Sequence, residues 1–119
     1  TFKTGVVQVV LNESGSANYT IDKPVAWDKI EINERTDEVA KNSDAFIFGS
    51  LVCRDPVSKE SLIGLLKHAS FKVFDVNMRP PHFSMELILQ LMSISDFVKC
   101  NDEELSEICS YLKFNSTSI

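Results

Sequence analysis

Phe-Lys-Val-Phe-Asp-Val-Asn-Met-Arg-Pro-Pro, residues 71–81, passes from apolar, β-forming residues into polar ones and stops at two prolines. Because proline cannot donate to a strand ladder, the run predicts a strand that ends near Asp75. Ligands of open α/β sheets bind beyond the carboxyl ends of the strands, so we expect this strand end to form part of a ligand-binding site. Asp75, Asn77 and Arg79 are spaced two apart and would share one side if the strand continued.

Arg79 carries the positive charge of this strand end, and its planar guanidinium suits a phosphate or a carboxylate. A plainer interpretation is equally compatible with the spacing. In that interpretation Asp75 and Asn77 cap the following turn, and Arg79 pairs with a surface acid.

The chain on either side of this stretch alternates between strand and helix patterns. Residues 45–48 form a compact apolar run that ends in Gly49-Ser50, where backbone can approach a ligand closely. Asp55-Pro56 predicts a helix start. The inward face of this helix is predicted to contain Leu62, Leu65, Leu66 and Ala69.

Two further helices and a third strand follow the double proline. Ser84 is predicted to cap the first helix, residues 96–100 form a short strand, and Asn101 begins the last helix. The inward faces are predicted to be Met85, Ile88, Leu89 and Met92 in the first helix, and Leu105, Ile108, Cys109 and Leu112 in the last. Four acids of the last helix, Asp102, Glu103, Glu104 and Glu107, are expected outside the core.

This order predicts an α/β fold, a parallel sheet with right-handed crossovers over residues 44–114. The strand ends Gly49-Ser50, Asp75 to Arg79 and Cys100-Asn101 would then meet at one sheet edge.

The first 43 residues have a weaker pattern. Residues 5–11 and 17–21 flank a turn cluster and predict a β-hairpin, counted with its exit as residues 1–22. Residues 22–32 are predicted to be irregular, with a short strand near Ile30 and Ile32. Residues 33–42 predict a short, exposed helix at most.

The composition fits a single domain of 119 residues with 44% hydrophobic residues. A net charge of −5 and a pI near 4.9 argue against sequence-independent binding of nucleic acid or anionic membrane. Three cysteines without paired spacing fit a reducing compartment, which favours the cytoplasm. No signal peptide or long apolar run is visible, and the start at Thr1 suggests a piece of a longer protein.

Asn101-Asp102-Glu103-Glu104 is an N-x-x-E motif at the junction of the last strand and helix. Asn followed by Glu three residues later is a capping-box pattern, so a structural role is one interpretation. The other is that Asn101 and Glu104 organise a hydrated Mg²⁺, since this ion keeps its waters and uses few carboxylates.

Two segments of this chain closely resemble the central part of ribokinase-type sugar kinases of the phosphofructokinase-B class, especially the fructokinase branch. They are the D-x-N-x-R segment (residues 75–79) and the N-x-x-E segment (101–104). Two shorter segments are similar to the same branch, Phe48-Gly49-Ser50-Leu51 and Thr4-Gly5-Val6-Val7. The resemblance covers nearly the whole chain. It implies a three-layer αβα sandwich that transfers the γ-phosphate of ATP to a sugar hydroxyl with Mg²⁺. The sugar would be a ketohexose, and self-association into a homo-oligomer is left open.

The resemblance also implies roles for individual residues. Asn77 and Arg79 would face the ATP phosphates, and Asn101 and Glu104 would set Mg²⁺ through its waters. Gly49 and Ser50 would lie toward the sugar pocket, and the hairpin would border the sugar site.

The chain departs from the family in two places. The glycine-rich G-A-G-D type motif, with its catalytic Asp and anion hole, is absent, as is the early Gly-Gly sugar-binding segment. The four glycines, at 5, 15, 49 and 64, are not adjacent and form neither a P-loop nor a G-x-G-x-x-G motif. We therefore expect a central kinase fragment, inactive alone, with no catalytic base of its own.

Other chemistry has less support. His68 and His82 lack partners at metal-ligand spacing, and Cys53 and Cys100 lack a positioned base. Trp27 receives no role beyond packing or sugar stacking. The competing hypothesis is a non-catalytic α/β binding module, receiver-like or flavodoxin-like. A receiver would need paired acids at the end of its first strand, whereas Asp44 precedes that strand.

Overall fold

A computed structural model describes residues 1–113, so residue 114 of the predicted core range and residues 115–119 lie outside it. The N-terminal part contains the predicted antiparallel hairpin, with β1 (Val7–Leu11) paired to β2 (Ala17–Ile21). The hairpin turn closes because the Asn12 side chain accepts the N–H groups of Ser14 and Ser16. The hairpin prediction is confirmed.

A three-stranded parallel sheet forms the centre of the fold. Its strands, β3 (Phe46–Gly49), β4 (Lys72–Asp75) and β5 (Phe97–Lys99), lie side by side in chain order. The register places Phe48 beside Phe74 and Phe74 beside Val98. The predicted α/β class with a parallel sheet is confirmed.

In residues 1–113, four α-helices begin where side chains can satisfy their free N–H groups. They are α1 (Glu34–Asn42), α2 (Pro56–Leu66), α3 (Met85–Ser93) and α4 (Asp102–Tyr111). Their capping side chains are Asn33, Asp55, Ser84 and Asn101, in that order. The three starts predicted at residues 55, 84 and 101 are therefore correct.

The core lies on one face of the sheet. Phe48 and Phe74 stack at 5.3 Å between ring centres, and the cluster around them includes side chains from α2, α3 and α4. On the opposite face Ile47 and Phe97 are 71% and 55% exposed. Within residues 1–113, helices therefore pack on one side of the sheet. The helical layer that would cover the other side in a three-layer sandwich does not occur in these residues.

Ile30 and Ile32 do not form the predicted strand. A 3₁₀ helix, Ala26–Lys29, ends directly before Ile30, and residues 30–32 have no regular secondary structure. The Ile30 N–H donates to the Ser58 hydroxyl at 2.9 Å, and the Val25 N–H donates to the Asp28 carboxylate at 2.9 Å. Side chains thus take the backbone donors that a strand partner would need.

The inward faces of the last two helices differ from the predicted ones. In α3 the fully buried residues are Ile88 and Leu91, and Leu89 is only half-buried. In α4 the buried pair is Glu104 and Ile108, one turn apart. This orientation leaves Leu105 39% exposed and Leu112 40% exposed. The expectation that Glu104 stays outside the core is wrong, because its carboxylate finds backbone partners there.

Ala69 is buried as expected, but it follows the end of α2 at Leu66 rather than extending the helix face. A bilayer-spanning helix, long and apolar enough for that role, does not occur in residues 1–113.

Candidate functional site

The carboxyl ends of the three parallel strands meet at one edge of the sheet, as the sequence predicts. The Ser50 hydroxyl, just after β3, donates to the Val76 carbonyl at 2.9 Å. The Val76 N–H in turn donates to the Lys99 carbonyl at the end of β5, also at 2.9 Å. Hydrogen bonds therefore join all three strand exits into one edge, which we call the exit edge.

The D-x-N-x-R segment does not continue as a strand along this edge. β4 ends at Asp75, and Asn77 has a left-handed backbone with φ of 45°. Asn is one of the few residues that adopts this conformation readily. The alternation of side chains is broken at Asn77, so the common side expected for a continued strand does not arise.

Asp75 is paired rather than free at the end of β4. Lys99, its neighbour in the strand register, donates to both carboxylate oxygens at 3.0 and 2.9 Å. The plainer interpretation, in which Asp75 caps the turn, is therefore not what the structure contains. Asn77 is exposed at the surface of the exit edge.

Arg79 is half-buried and turns back onto the chain. Its Nη1 donates to the Met78 carbonyl at 2.8 Å, which is its only side-chain hydrogen bond within residues 1–113. No ion pair joins Arg79 to an acid in that range. The structure of residues 1–113 therefore does not contain the alternative, an ion pair between Arg79 and a surface acid. Most N–H groups of the guanidinium make no hydrogen bond in this range.

Asn101 and Glu104 form a complete capping box at the start of α4. The Asn101 side chain accepts the Glu104 N–H at 2.8 Å, and Glu104 Oε2 accepts the Asn101 N–H at 3.0 Å. Glu104 Oε1 accepts a further N–H, that of Met78, at 2.8 Å. Both carboxylate oxygens are therefore occupied by backbone donors, and Glu104 is only 7% exposed.

These contacts test whether the two residues fit the Mg²⁺ implied by the family resemblance. Mg²⁺ demands well-placed oxygen ligands with room for its waters. The oxygens of Asn101 and Glu104 already hold backbone N–H groups, and the described part of the chain contains no group of three metal-ligating side chains. The backbone contacts of the pair therefore do not favour direct ligation of Mg²⁺, and the expected role, in which Asn101 and Glu104 hold the ion through its waters, stays a prediction.

Gly49 and Ser50 serve the structure of the exit edge. Ser50 is 1% exposed, and its hydroxyl is committed to Val76. A Cβ on Gly49 would lie 3.3 Å from the Asp75 carbonyl oxygen, so glycine suits this close approach of β3 to β4. The contact with sugar expected of these residues stays a prediction.

A buried ion pair near the hairpin exit was not found by sequence reasoning. Arg54 donates to the two oxygens of Asp28 at 2.7 and 2.9 Å, and their side chains are 1% and 0% exposed. Arg54 also donates to the carbonyls of Ile21 and Asp22 at the end of β2. This cluster, which we call the arginine anchor, ties the hairpin exit to the segment after β3. The Arg54 guanidinium holds the pKa of Asp28 below its ordinary value.

Trp27 packs inside the arginine anchor. The Arg54 guanidinium carbon lies 4.0 Å from the centre of the Trp27 ring, a cation–π arrangement. Gly5 also approaches the ring closely, because a Cβ there would come within 2.6 Å of Trp27 Nε1. Packing therefore accounts for Trp27. The one sequence signal for this anchor was an arginine placed directly after the apolar residues 51–53.

Cys53 and Cys100 show no activation. Burial raises the pKa of the Cys53 thiol to about 11. Burial, and next the Glu104 carboxylate, raises the pKa of Cys100. A raised pKa keeps both thiols protonated and unreactive at neutral pH, in line with the sequence-based view that they are not nucleophiles.

No protein-family model matches this chain, and no curated protein sequence is similar to it. Solved structures, in contrast, are similar over almost its whole length. A fructokinase from Xylella fastidiosa matches 99% of the chain with a TM-score of 0.83 and 20% identity. An uncharacterised sugar kinase from Pyrococcus horikoshii matches 95% with a TM-score of 0.81 and 22% identity.

The same two kinases are also similar to this chain in their ATP-bound structures, with TM-scores of 0.78 for the fructokinase and 0.79 for the Pyrococcus protein. The chain spans 39% of the fructokinase and 42% of the Pyrococcus kinase. At this level of identity the comparison establishes a shared fold, so residues 1–113 form part of a ribokinase-like fold.

Proposed function

We propose that this chain is the central part of an ATP-dependent sugar kinase of the fructokinase type, in which the exit edge faces the phosphates of ATP. The observation that carries the proposal is the fold shared with two sugar kinases over at least 95% of the chain. The D-x-N-x-R and N-x-x-E motifs supply independent support, because hydrogen bonds join them at the carboxyl ends of adjacent strands.

In this proposal Arg79 and Asn77 meet the transferring phosphoryl group. Arg79 has one nitrogen anchored on the Met78 carbonyl, which orients the guanidinium while its remaining N–H groups can contact phosphate oxygens. Asn77 projects from the left-handed position at the surface of the same edge. Positioning and charge stabilisation are the main contributions a protein makes to phosphoryl transfer.

The reaction forms a bond between a sugar hydroxyl oxygen and the γ-phosphorus, and breaks the bond from that phosphorus to the oxygen bridging to the β-phosphate. ADP leaves, and the hydroxyl proton passes to a general base that we place outside this chain. Mg²⁺ would accompany ATP, and Asn101 and Glu104 would contact it only through its waters, because their side-chain oxygens already accept backbone N–H groups. Gly49 and Ser50 shape the side of the edge nearest β3, where we place the sugar. We place the protein in the cytoplasm.

A nucleotide titration of the purified chain, followed by amide NMR, tests the phosphate role. We expect ATP to shift the amide resonances of residues 76–79 weakly, and Arg79→Ala to remove these shifts. Arg79→Lys should restore them only in part, because lysine lacks the planar fork. Arg35→Ala, at an exposed arginine of α1, is the matched control and should leave them unchanged. Shifts that are unaffected by Arg79→Ala would contradict the proposal.

A second assay concerns turnover by the chain alone. Incubation with ATP, Mg²⁺ and fructose should yield neither ADP nor a phosphosugar, because general-base help contributes roughly 10²–10⁴-fold and the anion hole acts together with it. A protein that adds the missing parts of the fold should produce both. Phosphosugar formation that follows the 119-residue chain through purification would show that the missing pieces are assigned wrongly.

A further inference from the structure

Glu104 makes more contacts than a capping box requires. A capping box uses one side-chain oxygen of the third helical residue, here Oε2 with the Asn101 N–H at 3.0 Å. The second oxygen reaches across to a different strand exit and accepts the Met78 N–H at 2.8 Å. Glu104 and Met78 are each only 7% exposed, so this contact is shielded from water.

The Met78 N–H belongs to the peptide that follows the left-handed residue Asn77. Two residues before Met78, the Val76 N–H still continues the sheet by donating to the Lys99 carbonyl. At Asn77 the backbone turns away from that ladder, so the next amide needs a partner elsewhere. The Glu104 carboxylate is that partner, and a hydrogen bond to a charged acceptor is stronger than one between neutral groups.

We propose that Glu104 is a positioning residue, which holds the Asn77–Met78 peptide in place and so sets the directions of Asn77 and Arg79 at the exit edge. Arg79 follows this peptide directly, and its Nη1 donates to the Met78 carbonyl. The carboxylate therefore sits beneath the loop that the proposed function assigns to phosphate contacts, and the functional part of this inference rests on that assignment. Glu104 acts here through the backbone and not as a metal ligand.

Amide hydrogen exchange in the full chain tests the positioning role. Glu104→Gln keeps the size of the side chain but leaves one acceptor oxygen for two N–H donors. We expect exchange at Met78 to accelerate about 10- to 100-fold relative to Val76, as loss of a hydrogen bond to a charged group implies. The Val76 amide serves as an internal reference, because any general loss of stability accelerates both amides together.

Two further variants separate this role from charge and from capping. Glu103→Gln removes the same charge from an exposed neighbour on α4 and should leave Met78 protected. Asn101→Ala removes the reciprocal cap but retains the contact of Glu104 with Met78, so the ratio of Met78 to Val76 exchange should stay near that of the wild type. Equal acceleration of Met78 and Val76 in Glu104→Gln would overturn the proposal.

A magnesium titration of the wild-type chain provides a test that does not depend on the folding of any variant. In millimolar MgCl₂ without nucleotide, we expect the Met78 and Asn101 amides not to shift. A saturable shift of both amides would identify Glu104 as a metal ligand and refute the positioning role. Failure of ATP to bind would count against the proposed function but would leave the exchange result intact, so the two proposals can fail separately.

Discussion

The arginine anchor offers the sharpest test of how the hairpin is held to the sheet. Arg54→Met keeps an unbranched side chain and removes the cation, which leaves the buried Asp28 carboxylate, at 0% exposure, with the Val25 N–H as its hydrogen-bond donor within residues 1–113. Removing one partner of a buried ion pair costs about 3–5 kcal/mol, because the other charge stays uncompensated. For an m-value of about 2 kcal/mol/M, the urea midpoint should fall by roughly 2 M.

Urea unfolding followed by tryptophan fluorescence is the natural assay, because the single tryptophan, Trp27, lies against the Arg54 guanidinium. Lys41→Ala is the matched control, since its pair with Asp37 is an exposed contact within α1. Such a pair contributes about 0.3–0.5 kcal/mol. The double variant Arg54→Met with Asp28→Leu should recover part of the loss, because no charge then remains buried.

The effect of Arg54→Met should also depend on pH. The Arg54 hydrogen bond lowers the pKa of Asp28 below its ordinary 3.8, so the native state binds this proton less tightly than the unfolded chain does. The stabilisation that the Arg54–Asp28 pair gives is therefore complete above the ordinary pKa of 3.8. It is lost as the pH falls through the lower pKa that Asp28 has in the native state. The difference in unfolding free energy between wild type and Arg54→Met should narrow in acid. A loss below about 1 kcal/mol at neutral pH, similar to that of Lys41→Ala, would refute this reasoning.

Three further predictions follow from burial. Leu91→Ala should cost about 2–5 kcal/mol, and Leu105→Ala clearly less because Leu105 is 39% exposed; thermal unfolding of both variants compares them, and equal losses would contradict the assigned helix faces. Gly5→Ala should cost about 1–3 kcal/mol and change Trp27 fluorescence, since the new Cβ would lie 2.6 Å from Nε1; an unchanged spectrum and melting temperature would show that the contact is absent. Cys53, with its pKa raised to about 11, should resist iodoacetamide at neutral pH until the chain is unfolded in urea, and mass spectrometry of the alkylated peptides would reveal any early reaction.

The order of elements and the place where the strand ends meet could be predicted from local patterns. Local patterns act over a few neighbouring positions, so they can be recognised without the fold. Examples are the β-forming runs at residues 45–48 and 71–74 and the capping residues at 55, 84 and 101. Parallel strands joined by helices must have their carboxyl ends at one edge, which is why Ser50, Val76 and Asn101 were expected together.

The partners of polar side chains depended on the tertiary structure, because they join residues far apart in the chain. The sequence around Glu104 matched a capping box, which accounts for the contact of Oε2 with the Asn101 N–H. The contact of Oε1 with the Met78 N–H, 26 residues away, exists only in the folded chain. Arg54 and Asp28, also 26 residues apart, carry no local pattern that marks them as a buried pair. The free energy of burying a charge depends on what surrounds it, and only the folded chain specifies those surroundings.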